Sequence, residues 1–349
     1  MRVTIKDVAA KTNLSITTVS LVLNNKPSKI SQKTRELVIK TAKELNYMPN
    51  QIAVSMIKKR SKTVGFIVPD ISNTYFSTLA KGVEETCHEN GFNTILCNTG
   101  DQHERDAEYI KVLATRNVDG ILYCMSKDSD IERFKANHQL LESLNIPYIM
   151  LDRTVSPEQI GRVLPCVQLN HRKGGYMATE HLLAMGHTKI GCITGPLRLT
   201  DAKLRVDGYK EALAEADIPF RSELIFEGDY DIAGGVEAVE PLLSQGATAF
   251  FASNDLMAYG ACKALRDRGL TIPSDVSVVG YDDIYFSEIL EVPLTTIRQP
   301  IEEMGATAAL QLIAAMKEGK SDFDYIPFEP RLIIRASTRP PKATAKTVI

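Results

Sequence analysis

Asp152-Arg153, Asn254-Asp255 and Asp282-Asp283 each follow a short apolar run, and Asp70 with Asn73, Tyr75 and Phe76 follows another. Taken singly, each reads as an ordinary loop residue or helix cap. Together with Arg205 and Gln299 they form a set rich in groups that make paired hydrogen bonds, because aspartate, asparagine and arginine each bridge adjacent hydroxyls. Tyr75, Phe76 and Tyr230 add apolar ring faces. Asp152 and Asp282 offset Arg153 and Arg205, leaving little excess positive charge for a multiply anionic ligand. This chemistry favours a neutral polyhydroxy compound.

Such a set needs a scaffold that brings distant segments together. From Thr63 onward the chain alternates apolar runs (VGFIV, NTILC, VDGILY, YIMLD, CVQL, KIGCIT, AFFAS, VSVVG) with amphipathic helical patterns. That alternation predicts parallel sheets with right-handed crossovers. In open sheets of this kind, ligands sit beyond the carboxyl ends of the strands. A glycine precedes the apolar run in both ENGFNTILC and AMGHTKIGC, which points to two similar halves.

The amino end carries different chemistry. Residues 1–62 hold thirteen Lys and Arg against three acids, in a chain whose net charge is −2. A basic head on an acidic body fits a polyanion bound by the head alone, since counterion release rewards cations clustered near phosphates. Thr4-Ile-Lys-Asp7 has capping-box form and predicts a helix over 5–12. Asn13-Leu14-Ser15 makes a tight turn, with Ser15 capping the helix that begins SITTVSLVLN. There Val19, Val22 and Leu23 form an apolar stripe and Thr17, Ser20 and Asn24 a small polar face, with Leu21 on the polar face. A third helix, capped by Ser31, buries Leu37, Val38, Ala42 and Leu45. Three short helices, two of them joined by a short turn, match the helix-turn-helix plan, whose second helix enters the DNA major groove. On that plan Leu21 supplies an apolar contact to a thymine methyl.

Pro49 stops the third helix, and residues 50–57 predict a helical segment of one to two turns ahead of the basic KKRSKT. An isolated helix this short is marginal in water, so it forms only when something packs on it.

The stretches TIKDVAAKTNLSITTVSLVLN, ELNYMPNQIAVSM, TVGFIVPDISNTYF, VDGIL, GHTKIGCITGP, SNDLMAYGA, VSVVGYDD and LTTIRQP span nearly the whole chain in that order. They resemble the LacI/GalR family of bacterial transcription regulators. The resemblance implies an α/β protein with a three-helix helix-turn-helix DNA-binding domain over 1–48 and a hinge helix and linker over 49–62. An effector-binding and dimerisation domain of periplasmic-binding-protein type follows over 63–340. Its two Rossmann-like subdomains are 63–163 plus 294–325 and 164–293 plus 326–340. The tail RPPKATAKTVI has adjacent prolines and no leucine heptad, so 341–349 is expected to be a disordered end.

The same resemblance implies that Ile16, Thr17 and Leu21 read bases and that Thr18, Ser20 and Asn24 contact the DNA backbone. Thr4, Ser15, Asn50 and Ala53 complete the DNA-binding set. Met56 falls at the wedge position, where an apolar side chain enters the minor groove and kinks the duplex. Leu21 stands where arginine or histidine is common. For the effector, the combination of Asn73, Phe76, Asp152, Arg153, Arg205, Asn254, Asp282 and Gln299 most resembles ribose-responsive members, and Tyr75 and Tyr230 complete the expected site as ring faces. Thr74-Tyr75 departs from the usual Pro-Phe. The expected partners are operator DNA, a sugar effector and a second copy of the chain, with no cofactor. The resemblance implies that ligand closes the cleft and disfavours hinge pairing, and release of DNA is the response expected of the family's sugar sensors.

Other classes fit less well. The chain has no G-x-x-x-x-G-K-[ST] loop and no H-E-x-x-H, and its six histidines lack metal-ligand spacing, so neither an enzyme nor a metal site is expected. Ser55-Met-Ile-Lys58 fits S-x-x-K only by chance. A transport binding protein would carry an export signal and no basic head. Six scattered cysteines without a C-x-x-C pair suit a reducing compartment, and no run approaches 18 apolar residues; a cytoplasmic protein, free of the membrane, is expected. Two alternatives within the family stay open: a regulator answering to a phosphorylated carrier protein, and a purine-type co-repressor ligand.

Overall fold

The computed structural model describes residues 3–26, 29–48, 60–318 and 325–342, and the chain divides into two compact units at Lys62/Thr63. The first unit holds α1 (Ile5–Thr12), α2 (Ile16–Leu23) and α3 (Gln32–Glu44). Local chemistry sets their ends. The Thr4 backbone amide and hydroxyl both donate to Asp7 Oδ2, at 2.7 and 2.8 Å, and the hydroxyls of Ser15 and Ser31 accept from the amides of Thr18 and Thr34 at 3.1 and 3.2 Å. Asn13, at φ 55°, ends α1 in the left-handed conformation.

Val8, Val19 and Val38 are fully buried and form the centre of the unit with Ala9, Val22 and Ala42. One expected core position differs. Leu37 is 47% exposed, and Thr41 is buried. At 3.6 residues per turn Val38, Thr41, Ala42 and Leu45 share one stripe, and Leu37 lies about 100° round from Val38, off its edge. Leu21 is half-buried and lies outside the core cluster, as its place on the polar face requires.

The second unit is built on two sheets. The first has strand order β11-β5-β4-β3-β1-β2 and is parallel throughout, from β1 (Thr63–Val68), β2 (Asn93–Asn98), β3 (Gly120–Tyr123), β4 (Tyr148–Leu151), β5 (Cys166–Leu169) and β11 (Ile326–Phe328). The second has order β12-β10-β9-β8-β6-β7, from β6 (Ile190–Thr194), β7 (Ile225–Glu227), β8 (Ala249–Ala252), β9 (Ser277–Asp282), β10 (Thr295–Arg298) and β12 (Arg331–Ile333), with β12 antiparallel to β10. The orders 5-4-3-1-2 and 10-9-8-6-7 are the same, so the two halves repeat one topology. Strand interiors such as Val64, Phe66, Ile67, Phe250, Phe251 and Val278 are fully buried, as expected for parallel strands covered on both faces.

The chain crosses between lobes three times, later than expected. β5 and β11 belong to the first sheet and β10 to the second, so the crossings follow Leu169, Arg298 and Phe328 instead of lying near 163, 293 and 325. A parallel strand pairs along its whole length, so the chain leaves a lobe only beyond the strand's carboxyl end. The helix after the second crossing, Ile301–Glu318, returns to pack on the first lobe against the helix Thr74–Glu89 and β3 to β5. The second crossing lies at the end of β10, directly before Gln299 of the polar set.

Candidate effector cleft

Asp152 follows β4, Asn254 follows β8, Asp282 ends β9, and Gln299 follows β10. Asn73 caps the helix Thr74–Glu89, its side chain accepting from the Tyr75 amide at 3.0 Å, which sets Tyr75 and Phe76 in the first turn. Arg205 projects from the helix Thr200–Glu215, and Tyr230 comes from the loop after β7. All ten residues expected of the effector site line one cleft of about 310 Å³, counted out to its mouth.

Several residues in and beside the cleft have positive φ. Asp152 (φ 66°), Tyr230 (φ 61°), Asp282 (φ 116°) and Asp283 (φ 59°) all occupy the left-handed region without being glycine, a conformation kept only where surrounding contacts over-determine it. Tyr230 is fixed on three sides. Its hydroxyl donates to Asp201 Oδ2 at 2.6 Å, its carbonyl accepts from Asn254 Nδ2 at 2.9 Å, and its ring lies so close to Gly195 that a Cβ there would sit 2.1 Å from the ring.

The charges are paired within the protein. Arg153 donates to Asp101 Oδ1 at 2.6 Å and lies 5.2 Å from the Phe76 ring centre. Arg205 donates to the Ser253 carbonyl, lies 4.1 Å from the Tyr281 ring centre and faces Asp201 at 3.9 Å. Burial opposes the Asp201 charge, yet Arg205, with Arg153 and the Tyr230 hydroxyl, holds its carboxyl below the usual range. Burial, with Arg205 beside it, pushes His171 down to about 3; it is neutral, and its Nδ1 accepts from Arg205 Nε at 3.3 Å.

Asp152 and Asp282 remain. Burial, reinforced by the Asp201 charge, raises Asp152 to about 6 although Tyr75 Oη donates to its Oδ1 at 2.7 Å. Burial likewise pushes Asp282 well above the carboxylate range, against the pull of Arg205, while Gln299 Nε2 donates to its Oδ1 at 2.6 Å. Gln299 Oε1 is buried without a protein partner, as are the Ser253 and Thr154 hydroxyls beside Asn254 and Arg153. The cleft thus offers protonatable carboxylates, amides and rings, and no uncompensated cation.

Three residues of the original pattern fall elsewhere. Asp70 caps its own turn through Ser72, and Asp255 is buried, accepting from Ser287 and Thr296 hydroxyls at 2.6 and 2.7 Å. Asp283 is bound by Arg298 and Arg335. Asp201 lines the cleft but was missed by sequence reasoning; its signal was a position four residues before Arg205 at a helix start. The partners Asp101, His171 and Tyr281 had no comparable signal. His103 Nδ1 shares a 3.0 Å hydrogen bond with Asp128 Oδ2, tying the helix His103–Thr115 to the loop after β3.

In the first unit, the face of α2 presents Ile16 and Thr17 exposed, with Thr18, Ser20 and Leu21 half-buried and Asn24 exposed. Ser15 and Thr18 share a 2.9 Å side-chain bond, and Asn24 Nδ2 donates to the Ser20 carbonyl at 2.8 Å. Asn50, Ala53 and Met56 lie outside the described residues.

A helix-turn-helix head and a doubled parallel-sheet body with a polar cleft at its strand ends define a DNA-binding regulator with a small-molecule-binding domain. The chain belongs to the LacI family of bacterial regulatory proteins: residues 4–50 match that family's DNA-binding segment, and residues 61–331 match the periplasmic binding proteins and sugar binding domain of the LacI family. It is similar to the HTH-type transcriptional regulator DegA of Bacillus subtilis, 36% identical and covering 97% of this chain and 99% of that one. It is equally similar to the HTH-type transcriptional repressor PurR of Vibrio vulnificus and the ribose operon repressor of Haemophilus influenzae, both 36% identical over 96% of this chain and 98% of theirs. The lac repressor dimer bound to operator and an anti-inducer superposes with TM-score 0.86 at 29% identity over 97% of this chain and 100% of that one. A LacI family regulator from Enterococcus faecium with bound ribose superposes with TM-score 0.71 at 33% identity over 80% of this chain and 100% of that one. The chain is a DNA-binding transcriptional repressor with a sugar-binding-type domain, and its relatives are regulators, not enzymes. No helix among the described residues is long and apolar enough to cross a membrane.

Proposed function

We propose that the protein is a homodimeric repressor released from a pseudo-palindromic operator by a neutral sugar in this cleft, with ribose as the effector. One observation carries the reading: Arg153 and Arg205 are matched by Asp101 and Asp201, so the groups left to face a ligand are hydrogen-bonding ones. Carboxylates and amides that accept from and donate to vicinal hydroxyls, with Phe76 and Tyr230 as ring faces, suit a small polyol. The ribose operon repressor of H. influenzae and the ribose-bound regulator of E. faecium support the choice of sugar. A purine-type co-repressor is the second reading, and similarity to the PurR proteins is what keeps it in play.

The dimer has its own support. Ile232, Phe286 and Ile289 are about half exposed, and Ile232 and Phe286 border an apolar groove with Tyr259, Cys262 and Leu290. Contiguous apolar surface of this kind marks an interaction site, and a two-fold protein suits a two-fold operator.

The test is fluorescence anisotropy of the palindrome upstream of the protein's own gene, titrated with ribose, other sugars, sugar phosphates and purines. Release by ribose alone supports the proposal. Release by none of them overturns the sugar reading in favour of a protein co-effector, and tightening by a purine establishes the second reading.

A further inference from the structure

We propose that Asp283 is a positioning residue: clamped between Arg298 and Arg335, it sets the neighbouring Asp282 carboxylate in the cleft without touching the ligand itself. The inference rests on the reading of the cleft as the effector site. Asp282 and Asp283 are consecutive left-handed residues, at φ 116° and 59°, and neither is a glycine. Such a pair persists only if its side chains and backbone are held.

The holding contacts come from two directions. Arg298 Nε donates to Asp283 Oδ2 at 2.6 Å and Arg335 Nη1 forms an ion pair with its Oδ1 at 2.7 Å, engaging both carboxylate oxygens of a side chain that is 4% exposed. Arg335 is itself fixed, its amide donating to Thr295 Oγ1 and its Nη1 to the Leu294 carbonyl, both at 2.9 Å. On the other side, the Ile284 amide donates to the buried Asp255 Oδ2 at 2.9 Å.

The clamp is in register with the site. β9 and β10 pair in parallel with Asp282 opposite Arg298. The residue after Arg298, Gln299, donates from Nε2 to Asp282 Oδ1 at 2.6 Å and from its amide to the Asp282 carbonyl at 3.3 Å. Two adjacent residues at the end of β10 therefore grip two adjacent residues at the end of β9: Gln299 holds the cleft-facing aspartate and Arg298 the one behind it. Gln299 also begins the second lobe crossing, so the clamp joins the ligand-facing carboxylate to the segment that connects the lobes.

The test uses the full-length protein, with ribose as probe, in calorimetry and a crystal structure of the ribose-free variant. Asp283→Asn is expected to weaken ribose binding about tenfold or more, and the Asp282→Asn/Asp283→Asn double variant to bind no more weakly than Asp282→Asn, because Asp283 acts through its neighbour. Arg335→Gln is expected to weaken ribose binding and Arg335→Lys to restore part of it. In the ribose-free Asp283→Asn structure, the Gln299 to Asp282 bond is lost. Wild-type ribose affinity in Asp283→Asn, or an additive double variant, overturns the proposal. If the wild-type protein itself does not bind ribose, the effector reading fails separately, and the ribose-free structure decides: an unmoved Asp282 overturns the clamp and a displaced one supports it. Should Asp283→Asn not fold, Arg298→Gln, at a side chain 51% exposed, takes its place in each measurement.

Discussion

The Tyr75 hydroxyl donates a 2.7 Å hydrogen bond to Asp152 Oδ1, yet the Asp152 carboxyl still titrates high, at about 6, because burial outweighs that bond. A carboxyl whose folded value exceeds its unfolded value of 3.8 binds protons more tightly when folded, so its ionisation costs stability as pH rises from 3.8 through 6. Asp152→Asn is therefore expected to stabilise the ligand-free protein by about 1–3 kcal/mol above pH 6. The gain should vanish toward pH 4, and ribose binding should be lost. Urea unfolding at pH 4 and pH 8 checks it; equal effects at both values contradict the assignment.

Hydroxyl donors from a ligand favour the ionised form of Asp152 and lower its titration point in the complex. Between the two points the complex holds fewer protons than the free protein, so ribose affinity is expected to rise with pH and level off above about 6. Calorimetry in two buffers of different ionisation enthalpy should register proton release near pH 6. Uptake there would reverse the sign of the scheme.

Asp101 behaves oppositely. Burial works against its charge, but Arg153, with the Lys127 amide, holds its carboxyl below the usual range. Its contribution is in place above pH 3.8 and is lost on acidification below that, as the folded carboxyl protonates. Asp101→Asn leaves the buried Arg153 guanidinium unmatched, which should cost about 3 kcal/mol at pH 7. The difference from wild type should shrink toward pH 3, as followed by thermal unfolding across that range.

At Gly195 a Cβ would meet the Tyr230 ring at 2.1 Å. Gly195→Ala must displace a ring that bonds Asp201 and borders the cleft, an overpacking cost of about 1–3 kcal/mol. The expected phenotype is a repressor that binds operator in the absence of ribose and is not released by it. Normal release in the anisotropy assay would show that the ring position is immaterial.

Leu21 sits half-buried outside the core of the first unit. Leu21→Ala should change stability by no more than about 0.5 kcal/mol and should leave ribose affinity unchanged while weakening operator binding. A thymine-to-uracil substitution in the operator, which removes the methyl, should mimic the variant on wild-type protein and have no further effect on the variant. Independent effects would place Leu21 away from the base edge.

Much of the head was legible in sequence because its determinants are local. Thr4 with Asp7, Ser15 with Thr18, and Ser31 with Thr34 act within one turn, and the helix bounds follow from them. Leu37 was misplaced for a reason of the same kind: residue type suggested burial, but the angle around the helix decided it. In the body, the apolar runs marked the strands and therefore where the cleft residues would emerge, since every ligand-facing loop begins at a strand's carboxyl end.

Strand order was not in the runs. That β5 and β11 lie in the first sheet and β10 in the second follows from pairing between segments far apart in the chain, which an apolar run does not encode. The same holds for charge. Arg153 and Asp101 stand 52 positions apart, after β4 and β2, and meet because β4, β3, β1 and β2 lie side by side in one parallel sheet whose carboxyl-end loops fold over the same edge. The sequence by itself determined the elements, their caps and the kinds of polar group presented to a ligand, because those depend on a few consecutive residues. Only the tertiary structure decided which carboxylates neutralise the arginines and which are left, raised in pKa by burial, to face the ligand, because desolvation and pairing depend on what the folded chain places within a few ångströms.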